Sequence, residues 1–150
     1  MDIRRVEETD MAAVVELVEK VANSDILPHF SEKGRMTFIS KVLPDLKTVF
    51  DKANFYSVKA VERGQLIGFG ALREGSYITH LFVDTRQQGS GVGKKLLQHL
   101  LDRSELDCVS LKSSVNAVSF YESQGFEATD SESEVSGIRF VPMRYFNKEK

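Results

Sequence analysis

The residues best placed to do chemistry begin at a cluster of glycines. An apolar run ends at Val83 and a polar turn follows. Gln88, Gly89, Ser90, Gly91, Val92, Gly93 and Lys94 then lead into a segment carrying Val92, Leu96, Leu97, Leu100 and Leu101 at helical spacing. A strand that feeds a glycine turn and then a helix start makes a pocket of backbone N–H groups. Four such groups lack intrahelical partners at any helix start, and the helix dipole favours an anion there by roughly 0.3–1 kcal/mol. Glycine has no Cβ, so an oxygen-rich ligand can approach the main chain closely. Two better-known glycine motifs do not fit. Gly89-x-Gly91-x-Gly93 is not G-x-G-x-x-G, because its third glycine comes one residue early, and no acidic residue is placed on a second parallel strand to hold a ribose. A P-loop requires G-x-x-x-x-G-K-[ST]; here Gln88 replaces the first glycine and Lys95 the hydroxyl residue.

Gln88-Gly89-Ser90-Gly91-Val92-Gly93 matches the pattern Q/R-x-x-G-x-G/A, and a second match lies downstream. Asn116-Ala117-Val118-Ser119-Phe120-Tyr121-Glu122-Ser123-Gln124-Gly125-Phe126 follows N-A-x-x-F/L-Y-x-x-x-G-F. Both patterns, in this order, resemble the GCN5-related N-acetyltransferase (GNAT) superfamily, and the resemblance extends over the whole chain. It implies that residues 88–94 cradle the pyrophosphate of acetyl-CoA, mostly through main-chain N–H groups. It implies that Phe82 and Val83 end the fourth strand at a bulge, where free backbone groups bond the pantetheine arm. It implies that Asn116 contacts that arm or orders nearby water.

Acyl transfer from a thioester to an amine sets four tasks: holding the cofactor, stabilising negative charge on the carbonyl oxygen, deprotonating the amine and protonating the departing thiolate. Tyr121 matches the family's proton donor to sulfur, and an unperturbed phenol with a pKa of about 10 suits a comparably basic thiolate. The base is open. His80, with an ordinary pKa of about 6.5, suits base work; Glu74, just before the same strand, is the alternative, acting through water; some relatives need no dedicated base. Each has a plainer structural role as well, a satisfied histidine and an exposed turn carboxylate. The acceptor is expected over the second helix and its preceding loop, at Leu27–Arg35 and Phe38, with Tyr77 facing them. There His29, Lys33 and Arg35 would meet the carboxylate of an amino acid or related small metabolite. Acetylation of a protein N-terminus or lysine is the alternative within the enzyme class. An acyl-CoA-binding sensor without turnover is the alternative outside it. Cys108 has no partner at metal-ligand spacing, and His29, His80 and His99 are scattered, so no metal is expected.

The elements that must position these groups are legible in outline. Ile3 and Val6 mark a first strand. Asp10 is placed to cap a helix with Val14, Leu17, Val18 and Val21 on one side, which Asn23-Ser24-Asp25 ends. Ser31 is placed to cap a second helix, interrupted at Pro44 and resumed at Leu46, Val49 and Phe50. Phe55–Val61, Leu66–Leu72 and Ser76–Val83 read as three antiparallel strands, turned at Gly64 and at Glu74-Gly75. A helix from Gly91 to about Asp102 returns the chain to a strand at Cys108–Lys112, a crossover that makes the fourth and fifth strands parallel. A short helix from about Asn116 ends at Gly125. Phe126–Thr129 and Ile138–Phe146 are the last two strands, joined by an acidic loop over 130–137, with Pro142 suggesting an edge or bulge. The expectation is one α+β domain over 1–150, a mixed, mostly antiparallel sheet flanked by about four helices. In the resembled acyl-CoA N-acyltransferase fold the parallel fourth and fifth strands splay apart to admit acetyl-CoA.

Composition bounds the rest. A chain of 150 residues, 41% hydrophobic and 28% charged, is ordinary for a globular protein, and a formal charge of −2 gives no case for nucleic-acid binding. One cysteine precludes an internal disulfide and fits a reducing compartment. The first residues have no apolar core for export, and no run approaches the ~20 residues of a membrane span. A cytoplasmic protein acting on a small-molecule amine is the expectation, with a homodimer left open.

Overall fold

The computed structural model describes residues 1–147. Its sheet is built from β1 (Asp2–Arg5), β2 (Phe55–Glu62), β3 (Gln65–Arg73), β4 (Tyr77–Val83), β5 (Cys108–Ser113), β6 (Glu127–Ala128), β7 (Ser133–Val135) and β8 (Ile138–Phe146). The order is β1-β2-β3-β4-β5-β8-β6, with β7 paired to β8. Every pairing is antiparallel except β4 with β5. Helices α1 (Met11–Val21) and α2 (Glu32–Thr37) cover one face; α3 (Val92–Arg103) and α4 (Val118–Ser123) cover the other. This is the mixed, mostly antiparallel sheet with about four flanking helices that the sequence predicts.

Two irregularities in β4 make the site. Ala71 faces His80 but Leu72 faces Ile78, so Thr79 is an extra residue on β4. The bulge reverses the alternation beyond it. Ile78, Leu81 and Val83 pack toward α3, whereas His80 lies against Phe69 and Phe82 on the α1–α2 side. Simple alternation puts Ser76, Ile78, His80 and Phe82 on one face and a bulge reverses it; here His80 and Phe82 stay together and Ile78 lies on the opposite side. The second irregularity is that β4 pairs with β5 only at Tyr77↔Ser110 and Ile78↔Leu111. Beyond Ile78 the two strands part, leaving residues 79–83 without a strand partner on that side.

Asp10 does not cap α1. Its carboxylate accepts from the Glu7 N–H at 2.8 Å, in a 3₁₀ turn that precedes the helix, and from Lys59 Nζ at 2.8 Å. Asn23-Ser24-Asp25 does not end helical structure outright: Ala22–Ile26 widens into a π-type turn. Ser31 does cap α2, its Oγ accepting from the Gly34 N–H at 3.2 Å. The 130–137 loop contains β7, which forms a hairpin with β8 through Ser136 and Gly137, both at positive φ. Pro142 lies in an interior strand, but at a place where no N–H is needed. Its carbonyl accepts from the Thr129 N–H at 2.9 Å, just past the end of β6. A strand residue points N–H and C=O to the same side, so the ring replaces a donor that would face beyond β6.

Candidate active site

The gap between β4 and β5 opens into a cavity of about 670 Å³ that passes from the glycine loop on one side to Phe30 and Phe38, which flank α2, and to β8 on the other. At the loop end Asp84, 5% exposed, anchors the chain as it leaves β4. Its carboxylate accepts from the Arg86 N–H at 3.0 Å and from Lys20 Nζ at 3.3 Å. The Arg86 backbone hydrogen bond is the chief reason that this carboxyl is held below the ordinary carboxylate range. Gly89 and Gly91 follow at φ +85° and +89°, and a Cβ added to either would meet nothing within 4 Å. Glycine is needed there for its backbone conformation, which costs other residues roughly 1–2 kcal/mol, and the absence of side chains leaves an open cradle before α3.

Gln88, Gly89, Gly91, Gly93 and Lys94 line the cavity, as do Phe82 and Val83 from the open edge of β4. Ser90 and Val92 do not: the Ser90 hydroxyl turns back to donate to the Gln87 carbonyl, and Val92 is buried under α3. Gln88 Nε2 donates to Asp25 Oδ2 at 2.7 Å and to the Val83 carbonyl at 3.1 Å. Asn116 lies on the opposite lip, where its Nδ2 donates to the Asp25 carbonyl at 3.0 Å. Asp25, which the sequence reading treats only as a helix breaker, thus links both lips of the cleft.

Tyr121 enters from α4, 8% exposed, with its ring edge-on to Phe120 at 5.2 Å and to Phe126 at 5.6 Å. It lines the cavity, and burial raises its phenol above the ordinary value, so it is protonated at neutral pH. His80 also lines the cavity, with Nδ1 2.8 Å from Thr79 Oγ1. Burial lowers its pKa to about 4, which keeps the imidazole neutral at pH 7 but makes it a weak base. Glu74 is not brought to the site. It sits exposed in the β3–β4 turn, at the other end of β4, against a separate shallow hollow.

On the acceptor side Phe38 and Tyr77 line the cavity, but His29, Lys33 and Arg35 are exposed outside it. Arg35 Nε donates instead to the Leu27 carbonyl at 2.9 Å, stiffening the α1–α2 connection. Phe30, Lys112, Arg139 and Phe140 occupy the wall in their place. Lys112 was within reach of sequence reasoning, because Val109, Leu111 and Ser113 alternate as the buried positions of β5 and leave Lys112 on the other face. Arg139 and Phe140 reach the site only through the β7–β8 hairpin, which no local pattern announces.

The shift of His80 yields a measurable pH dependence. Its folded pKa lies below its unfolded value, so between about pH 6.5 and 4 the unfolded chain binds the extra proton. The contribution is complete above pH 6.5 and is lost as pH falls toward 4, by up to about 3 kcal/mol. Denaturant melts across this window are expected to show that loss, and His80→Gln to remove most of it.

The cradle, the parted parallel strands and the cavity that joins them fit an acyl-CoA: backbone N–H groups for a pyrophosphate, a free strand edge for an amide-bearing arm, and a pocket lined by Phe120 and Tyr121 for the thioester. The family model described as Acetyltransferase (GNAT) domain matches residues 26–146. The chain belongs to this acetyltransferase family. Two relatives from Escherichia coli (strain K12) are similar in sequence. The peptidyl-lysine N-acetyltransferase YiaC is 33% identical over 70 residues, covering 46% of this chain and 48% of YiaC. The peptidyl-lysine N-acetyltransferase YjaB is 38% identical over 69 residues, covering 45% of this chain and 46% of YjaB. The chain spans about half the length of the curated relatives it matches. Among solved structures, the PaiA N-acetyltransferase of Thermoplasma acidophilum in complex with coenzyme A superposes with a TM-score of 0.76 at 18% identity, over 97% of this chain and 98% of that one. Among the described residues no helix is long and apolar enough to cross a membrane.

Proposed function

We propose that the chain transfers the acetyl group of acetyl-CoA to the ε-amine of a lysine in a peptide or protein. The observation that carries acetyl transfer is the placing of Tyr121 and the unpaired edge of β4 in the same cavity as the glycine cradle. One feature favours lysine over a small amino acid as acceptor: the two Escherichia coli relatives described above are peptidyl-lysine N-acetyltransferases.

Acetyl-CoA supplies the thioester; the chain supplies position and protons. Residues 88–94 bind the pyrophosphate, with Lys94 adding a charge that the backbone donors lack. The open edge of residues 79–83 holds the arm and offers an N–H to the carbonyl oxygen, a role that belongs to the main chain of β4 and not to its side chains. Tyr121 holds a proton at Oη for the departing sulfur. The burial that raises this phenol also disfavours a free thiolate in the same pocket, so donor and leaving group shift together.

His80 is too weak to strip an alkylammonium. A pKa of about 4 against about 10.4 for lysine leaves the transfer uphill by roughly 9 kcal/mol. The amine therefore arrives neutral, having lost its proton to water, and His80 serves as a neutral polar wall. The expected kcat/KM rises with pH along the amine's own ionisation, with no limb near pH 6.5.

Calorimetry with acetyl-CoA, run beside a thiol-release screen of blocked lysine peptides, N-terminal peptides, free amino acids and polyamines, tests the reading. Cofactor binding with release specific to blocked lysine peptides supports it. Release only with free amines reassigns the acceptor, and binding without release for any amine indicates a sensor. Absence of binding removes every role given to the glycine loop.

A further inference from the structure

Resting on that reading, we propose that the target lysine is flanked by an acidic residue, which Lys112 and Arg139 recognise at the acceptor end of the cavity. Lys112 stands on the open face of β5, because its neighbours Val109, Leu111 and Ser113 are buried toward α3. Its ammonium lies 4.9 Å from the centroid of the Phe140 ring, which holds the stem against the cavity wall. Among the described residues Lys112 forms no ion pair. Arg139, one residue before Phe140, is the second cation on this wall. Its Nη1 donates to the His29 carbonyl at 3.3 Å, and its Nε and Nη2 meet the two carboxylate oxygens of Glu132 at 2.8 and 2.9 Å. That pair is 38% and 43% exposed, so its net worth is small and a second carboxylate can share the guanidinium.

Among the described residues the one acid that lines the cavity is Asp25, which belongs to the loop end and accepts from Gln88. Arg139 is thus partly compensated by Glu132, and Lys112 is the cation at the acceptor end that forms no ion pair among the described residues. A peptide with Asp or Glu beside the lysine would set that carboxylate against the Lys112 ammonium while the neutral amine enters the part of the cavity lined by Phe30, Phe38 and Tyr77. Charge matching of this kind selects partners more than it adds affinity.

Blocked peptides that differ only in one residue next to lysine, Glu, Gln or Lys, separate the possibilities, with kcat/KM measured for the wild-type protein, Lys112→Glu and Arg139→Gln. The wild type is expected to prefer the Glu peptide over the Gln peptide by roughly tenfold, the scale of one hydrogen bond to a charged group. Lys112→Glu is expected to reverse the order in favour of the Lys-flanked peptide. Both preferences should shrink as salt is raised. Equal rates on all three peptides would overturn the recognition while leaving lysine acetylation intact. Failure of every peptide, with free lysine accepted, would instead overturn the peptide reading on which it rests.

Discussion

Tyr121→Phe is expected to lower kcat by roughly 10²–10⁴-fold, the usual weight of a positioned acid, with acetyl-CoA affinity and thermal stability nearly unchanged. The separation of these readouts follows from the packing. The Tyr121 ring is fixed edge-on between Phe120 and Phe126, and both contacts survive loss of the hydroxyl. What disappears is one proton on Oη at the cavity wall. Because burial raises the phenol, wild type should show no loss of rate from Tyr121 ionisation below about pH 10. A variant with unchanged kcat would make Tyr121 a packing residue and would leave the sulfur to be protonated by water. A variant with lost cofactor affinity would point instead to a role in holding the arm.

The sequence was most informative where local chemistry and tertiary role coincide. The glycine loop needs positive φ at Gly89 and Gly91 wherever it sits, so its pattern survives translation into structure. The apolar stripe of α3 and the crossover to β5 follow from spacing and chain direction alone. The parting of β4 from β5 came from resemblance; no residue type in either strand encodes it. The face of His80 was illegible, because one extra residue at Thr79 exchanges the two faces of β4 and nothing in a run of β-formers marks where it falls. The acceptor wall was the hardest to read. Charged residues near the second helix invited a binding role, yet helical phase turned His29, Lys33 and Arg35 outward. Arg139 and Phe140 on that wall lie more than a hundred positions away, and only pairing of β8 with β5 and packing of its hairpin on α2 bring them there.

That hairpin contact carries the second large effect, and its sign separates local propensity from tertiary contact. Gly34 lies within α2, where replacement by Ala ordinarily stabilises a helix by roughly 0.5–1 kcal/mol. Here the opposite is expected. A Cβ on Gly34 would overlap the Gly137 carbonyl oxygen and lie 2.9 Å from its carbon, while a Cβ on Gly137 would lie 2.8 Å from Gly34 Cα. Two backbones meet with no side chain between them to yield, and Thr37 Oγ1 fixes the approach by donating to the Ser136 carbonyl at 2.6 Å. Gly34→Ala must therefore lift α2 from the hairpin, at an overpacking cost of roughly 1–3 kcal/mol, or a fall in Tm of about 2–12 °C for a chain of this size. The same shift moves Phe30 and Phe38 relative to Arg139 and Phe140, so KM for the acceptor should rise more than the dissociation constant of acetyl-CoA, whose cradle lies at the other end. Gly64→Ala is the control: it sits at φ +75° with nothing within 4 Å of the added carbon, so it should cost roughly 1–2 kcal/mol of stability without altering acceptor KM. If Gly34→Ala raised Tm, the two backbones would not be in contact, and the acceptor end of the cavity would be wider than the structure shows.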